Sequence, residues 1–135
     1  MHSERYTKFI SRLKKKDLIP LDGAIGTELQ KRGVKMDGSW CGSASLHQDI
    51  LKKVHIDYIN AGSKIITTNT YASSRIMLKA ASMEKRFEEI NLKAVNSALN
   101  ARKETNKNDV LIAGSISHRY PIADGDILSQ AVVNV

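Results

Sequence analysis

Short apolar runs alternate with stretches whose apolar residues recur at helical spacing, and this rhythm governs most of the chain. Leu18-Ile19-Pro20-Leu21 reads as a first strand, and Asp22-Gly23-Ala24-Ile25-Gly26 as a tight turn behind it. A helix is expected over 27–32, closed by Gly33. Residues 46–61 place Leu46, Ile50, Leu51, Val54, Tyr58 and Ile59 at a helical period, with Gly62 as the C-cap. Residues 64–71 are β-branched almost throughout and read as a second strand, its apolar start suited to a buried parallel sheet. A short helix fits 73–81. Ser82 is then expected to cap a long helix reaching Glu104, with Phe87, Ile90, Ala94, Val95, Ala98 and Leu99 facing inward. Residues 110–115 form a third buried-type strand, 117–126 a loop, and 127–135 the start of a further element. Ahead of everything, residues 1–16 carry an amphipathic helix, with Ser3 as cap and Tyr6, Phe9, Ile10 and Leu13 on one face.

One helix followed by three strand–helix units implies an α/β fold with a parallel sheet and right-handed crossovers. Three strands cannot close a barrel, and they leave apolar sheet edges open. The chain therefore reads as a portion of a larger α/β protein, or as one that pairs with another chain.

Composition narrows the class. The 135 residues, 41% hydrophobic and 26% charged, suit a soluble globular domain. No apolar run is long enough to span a membrane, and the short apolar face of the first helix favours packing over membrane binding. Cys41 is the single cysteine and has no internal disulfide partner, which makes a cytoplasmic setting the default. The net charge of +7 raises nucleic acid as a partner. Aromatic content of 5% with no basic–aromatic interleaving argues instead for a solvated basic face. No nucleic-acid partner and no membrane partner are expected.

Candidate chemistry gathers where strands end, because parallel sheets bind ligands at their C-terminal edge. Asp22 supplies a carboxylate there, and Gly23 and Gly26 let the backbone come close to a ligand. The glycine spacing is neither a dinucleotide fingerprint nor a phosphate loop. Thr68, Asn69 and Thr70 form a second polar cluster at the end of the next strand; Asn69 is the more telling member, since strands disfavour asparagine. Trp40 either walls a pocket or plugs the sheet edge, and Cys41 reads as a free structural thiol. His55 falls on a helix and reads as packed or capping rather than as a base.

Three segments together resemble the homocysteine S-methyltransferase family: Leu21-Asp22-Gly23-Ala24-Ile25-Gly26-Thr27-Glu28-Leu29, then Val54-His55-Ile56-Asp57-Tyr58-Ile59-Asn60-Ala61-Gly62-Ser63-Lys64-Ile65-Ile66-Thr67-Thr68-Asn69-Thr70-Tyr71, then Ile112-Ala113-Gly114-Ser115. The resemblance implies a (β/α)8 TIM barrel of which residues 1–135 carry the first three strand–helix units, an N-terminal part of the homocysteine-binding domain. It implies transfer of a methyl group from a small donor to homocysteine, giving methionine, with the thiol held as a thiolate on zinc. Coordination keeps a thiol deprotonated at neutral pH, whereas a free one titrates near about 8.5. The family's three zinc cysteines have no match here, so the resemblance implies that this chain alone is inactive and lacks the metal ligands. The alternative is a non-catalytic half of a split barrel that assembles with a partner chain. By the same resemblance Asp22 anchors the homocysteine ammonium, Gly23, Ala24 and Ile25 offer backbone to its carboxylate, and Thr68, with Asn69 beside it, lies near that carboxylate. Ser115-Ile116-Ser117-His118-Arg119 departs from the Gly-Pro that relatives have after the third strand, and His118 or Arg119 either meets the methyl donor or decorates the loop.

Overall fold

The computed structural model describes residues 4–116. Ser3, His118, Arg119, the loop expected at 117–126 and the element expected at 127–135 lie outside the described residues. In chain order the elements are α1 (Glu4–Lys14), α2 (Ile25–Lys31), a 3-10 turn (Ser43–Leu46), α3 (Gln48–Asn60), β1 (Ile65–Thr67), α4 (Arg75–Lys79), a second 3-10 turn (Glu84–Arg86), α5 (Phe87–Glu104) and β2 (Leu111–Ala113).

The sheet is parallel, as the alternation of elements predicts. β1 pairs with β2 in the register Ile65↔Leu111, Ile66↔Ile112 and Thr67↔Ala113. On the other side of β1 the first apolar run contributes a single parallel rung, Leu21↔Ile65. It is held by Lys64 N–H to Pro20 O (2.8 Å) and Asp22 N–H to Ile65 O (3.1 Å). Proline has no N–H to donate, which limits how far this segment can extend its pairing.

Helices cover the sheet through three linked clusters. Leu29, Val34, Ala44, Leu51 and Val54 join α2 and the following loop to α3. Ile59, Ile66, Ala98, Ala101 and Val110 bring α3, β1 and α5 together. Leu78, Phe87 and Ile90 anchor α4 to the start of α5, with the Arg75 guanidinium 4.4 Å from the centre of the Phe87 ring. Ala94, Ala98 and Ala101 are fully buried on α5; small residues at this spacing let helices approach closely, and α3 packs along this helix.

Several local expectations shift. α2 begins at Ile25 rather than Thr27. α3 and α2 stop just before Gly62 and Gly33, both at positive φ (107° and 84°), the conformation that favours glycine after a helix. Ser82 does not cap the long helix, because its backbone sits at φ 55°, outside the extended region an N-cap needs. Ser74 does act as a cap, for α4, accepting the Met77 N–H at 3.3 Å. On α5, Val95 and Leu99 are 38% and 39% exposed, while Ser97 and Ala101 take buried places; the inward stripe is rotated from the expected one. The strand expected over 64–71 ends at Thr67, since the next residues use their side chains on one another and on neighbouring loops. Side-chain hydrogen bonds of this kind compete with ladder pairing.

Candidate functional site at the strand ends

The polar groups singled out in the sequence meet where Leu21, β1 and β2 end. Asp22 follows the last rung of the first segment. A regular parallel ladder would next pair the Thr67 N–H with the Asp22 carbonyl. The side chain takes that place: Oδ2 accepts the Thr67 N–H at 2.6 Å, and Oδ1 accepts the Thr67 hydroxyl at 3.0 Å. The carboxylate thus terminates the sheet at this edge. Burial pushes its carboxyl above the usual aspartate value, and the two hydrogen bonds from Thr67 act in the opposite direction. Among the described residues no Lys, Arg or His lies within ion-pair distance of it.

The turn behind Asp22 is clamped by Tyr58 of α3. Its hydroxyl donates to Ala24 O at 3.1 Å, and its ring lies so close to Gly23 that a Cβ there would stand 2.8 Å from the phenol oxygen. Only glycine fits under that ring without moving it. Ile25 opens α2 and packs its side chain against the α2–α3 cluster, so any contribution it makes to a ligand comes from its backbone.

The second polar cluster is tightly knit. Thr68 and Asn69 are buried. Thr68 donates its N–H to Ala113 O at 2.8 Å, and its hydroxyl shares a 2.9 Å hydrogen bond with that of Thr70. Thr70 Oγ1 in turn donates to Ser115 O (2.6 Å) and accepts the Ser115 N–H (3.0 Å), which ties the end of β1 to the end of β2. Asn69 Nδ2 donates to Cys41 O (2.8 Å) and to Ser45 Oγ (3.0 Å). Its amide therefore fastens the loop before α3 to the strand ends, a role a strand-former could not fill.

The side chains of the other singled-out residues take no part in this hydrogen-bond cluster, although the Cys41 carbonyl accepts from Asn69. Trp40 is 67% exposed and forms an isolated bridge with Asp37. Cys41 is half-buried beside Gly26, and burial raises its thiol above the ordinary value, which disfavours the thiolate. His55 is fully buried on α3, neither ring nitrogen has a hydrogen-bond partner, and burial lowers its pKa to about 4; it is a packed histidine. A cavity of about 620 Å³ opens at the opposite, N-terminal end of the strands, against α1. Of its lining cations, Lys8 pairs with Glu4, Arg12 with Asp17 and Lys64 with Asp109, while Arg5 donates to the Asn108 carbonyl.

Thr67 and Tyr58 are the residues around Asp22 that sequence reasoning did not single out. Thr67 reads as an ordinary strand-former, and Tyr58 as one more apolar position on a helix. The signal for Thr67 was its place at the last strand position, next to the acidic turn.

The homocysteine S-methyltransferase family model matches residues 19–130. The chain belongs to the homocysteine S-methyltransferase family. It is 31% identical over 108 residues to the S-methylmethionine–homocysteine S-methyltransferase of Pongo abelii, covering 79% of this chain and 28% of that protein. It is 29% identical over 122 residues to the homocysteine S-methyltransferase of Escherichia coli (84% of this chain, 39% of that protein). It is also 29% identical over 111 residues to betaine–homocysteine S-methyltransferase 1 of Danio rerio (80% and 27%). The chain thus spans well under half the length of these relatives. As to the zinc that the family implies, among the described residues no three His, Cys, Asp or Glu side chains are placed to hold a metal ion. Cys41 alone does not make such a site, and no chemistry of these residues runs through one. No helix among the described residues is long and apolar enough to cross a membrane.

Proposed function

We propose that this chain forms the amino-acid-gripping part of a homocysteine S-methyltransferase, the first strand–helix units of a (β/α)8 barrel. Asp22 receives the ammonium of homocysteine; the backbone of Gly23, Ala24 and Ile25, with Thr68 and neighbouring Asn69, borders its carboxylate. The observation that carries this reading is the state of Asp22: a half-buried carboxylate at a strand's C-terminal end, hydrogen-bonded only to neutral donors and without a cation among the described residues. An ionised group so placed is stabilised by an incoming positive charge, and a charge-assisted hydrogen bond is roughly twice as strong as a neutral one. Family membership supplies the substrate class, since the relatives named above are homocysteine methyltransferases. The methyl donor is a small molecule, the reaction yields methionine in the cytoplasm, and zinc-held thiolate chemistry is contributed by polypeptide other than the residues described.

Calorimetric titration of the full chain with homocysteine tests the reading. Wild type is expected to bind, and Asp22→Asn, which removes the charge at constant size, to bind at least about tenfold more weakly, since a hydrogen bond to a charged group contributes roughly 1.5–3 kcal/mol. Equal affinity for the two would remove Asp22 from the site. Because burial raises the Asp22 carboxyl, binding should decline on acidification at a higher pH than an ordinary aspartate would give.

The second reading is a non-catalytic half that completes a barrel with a partner chain. The open rung at Leu21, 61% exposed on the outer side of β1, favours it. Methyl transfer from S-methylmethionine or betaine by the chain alone would exclude that reading.

A further inference from the structure

We infer that Thr67 is the positioning residue for Asp22. It donates its backbone N–H to one carboxylate oxygen and its hydroxyl to the other, which fixes the plane of the carboxylate and leaves lone pairs on both oxygens for an ammonium group. The inference rests on the reading of Asp22 as the ammonium anchor and adds to it the residue that sets the anchor's geometry.

An ionised aspartate has about four acceptor sites, and the two bonds from Thr67, at 2.6 and 3.0 Å, occupy one on each oxygen. A carboxylate held through both oxygens cannot rotate about its Cβ–Cγ bond without breaking one of them. Both donors come from the final residue of β1, which is itself tied into the sheet beside Ala113 of β2. On the other flank Tyr58 pins Gly23 and Ala24, so the backbone that carries Asp22 is fixed as well. The donors are neutral, so they orient the charge without cancelling it, and the ammonium finds it uncompensated.

The contribution of the hydroxyl is separable from that of the strand. Valine replaces threonine with nearly the same shape and an equal liking for strands, and removes only the Oγ1 bond; serine keeps the hydroxyl. In the full chain with ¹³C-labelled aspartate carboxyls, the Asp22 resonance is assigned through Asp22→Asn and followed as pH is varied. Thr67→Val is expected to move the Asp22 titration to higher pH, and Thr67→Ser to return it toward wild type. Homocysteine affinity is expected to fall about tenfold in Thr67→Val and to recover in Thr67→Ser. An Asp22 titration that is the same in wild type and Thr67→Val overturns the inference, as does a Thr67→Ser variant that stays with Thr67→Val. A wild-type chain that fails to bind homocysteine, while its Asp22 titration still answers to Thr67, overturns the ammonium reading and supports the positioning role.

Discussion

Two amphipathic helices of this chain have opposite fates. α1 carries Tyr6, Phe9, Ile10 and Leu13 on one face, yet none of its residues is buried; Tyr6 and Leu13 are 41% and 48% exposed. α5 buries Phe87, Ile90, Ala94, Ser97, Ala98 and Ala101. The difference does not lie in the strength of the pattern. α5 lies against α3 and the strands, and its small residues admit close packing. α1 meets the rest of the molecule at its margin, through contacts such as the Arg5 side chain donating to Asn108 O. An apolar stripe states which face a helix would bury; whether it does so depends on what stands opposite.

This contrast can be broken most forcefully at Ile90, which is fully buried with Leu78 and Phe87. Ile90→Ala is expected to cost about 2–5 kcal/mol, read as a lower urea midpoint at unchanged slope. A loss below about 1 kcal/mol would mean that the α4–α5 cluster is not a packed core. His55, on the α3 side, sharpens the contrast through pH. Its folded pKa, about 4, lies below the ordinary 6.5 of the unfolded chain, so the unfolded state takes up the proton first. Stability is therefore full above about pH 6.5 and declines as pH falls toward 4, by on the order of 3 kcal/mol at about 1.4 kcal/mol per pH unit. Urea titrations between pH 7 and 4 should show the decline, and His55→Leu should flatten it; an equally steep decline in that variant would assign it to other groups. The smallest effect is expected on α1. Phe9→Ala should cost about 0.5 kcal/mol or less, as surface changes do, and a loss comparable to that of Ile90→Ala would erase the distinction between the two helices.

Much of this was legible in the residues, and the parts that were not share a cause. The alternation of β-branched runs with helical periods gave a parallel α/β sheet, and Asp22, Thr68 and Asn69 stood out as polar groups at strand ends. What each does there was hidden. Asn69 is out of place in a strand, and the structure shows it fastening a loop at Cys41 and Ser45, 28 and 24 residues earlier. Thr67 looked like strand chemistry alone, because its partner Asp22 is 45 residues away and no local pattern encodes that distance. Ser82 has the residue type of a cap, but capping depends on a backbone angle, and its φ of 55° does not allow it.

The sequence by itself determined the local choices: which segments turn, which coil, which extend, and which faces are apolar, since these follow from steric and solvation preferences of residues a few positions apart. The tertiary structure decided the pairings. It shortened the first strand to a single rung, rotated the buried stripe of α5, left α1 outside the core, and made the Asp22 side chain the end of a ladder. Each of these depends on groups brought together only when the chain folds back on itself, where geometry rather than residue type selects the partner.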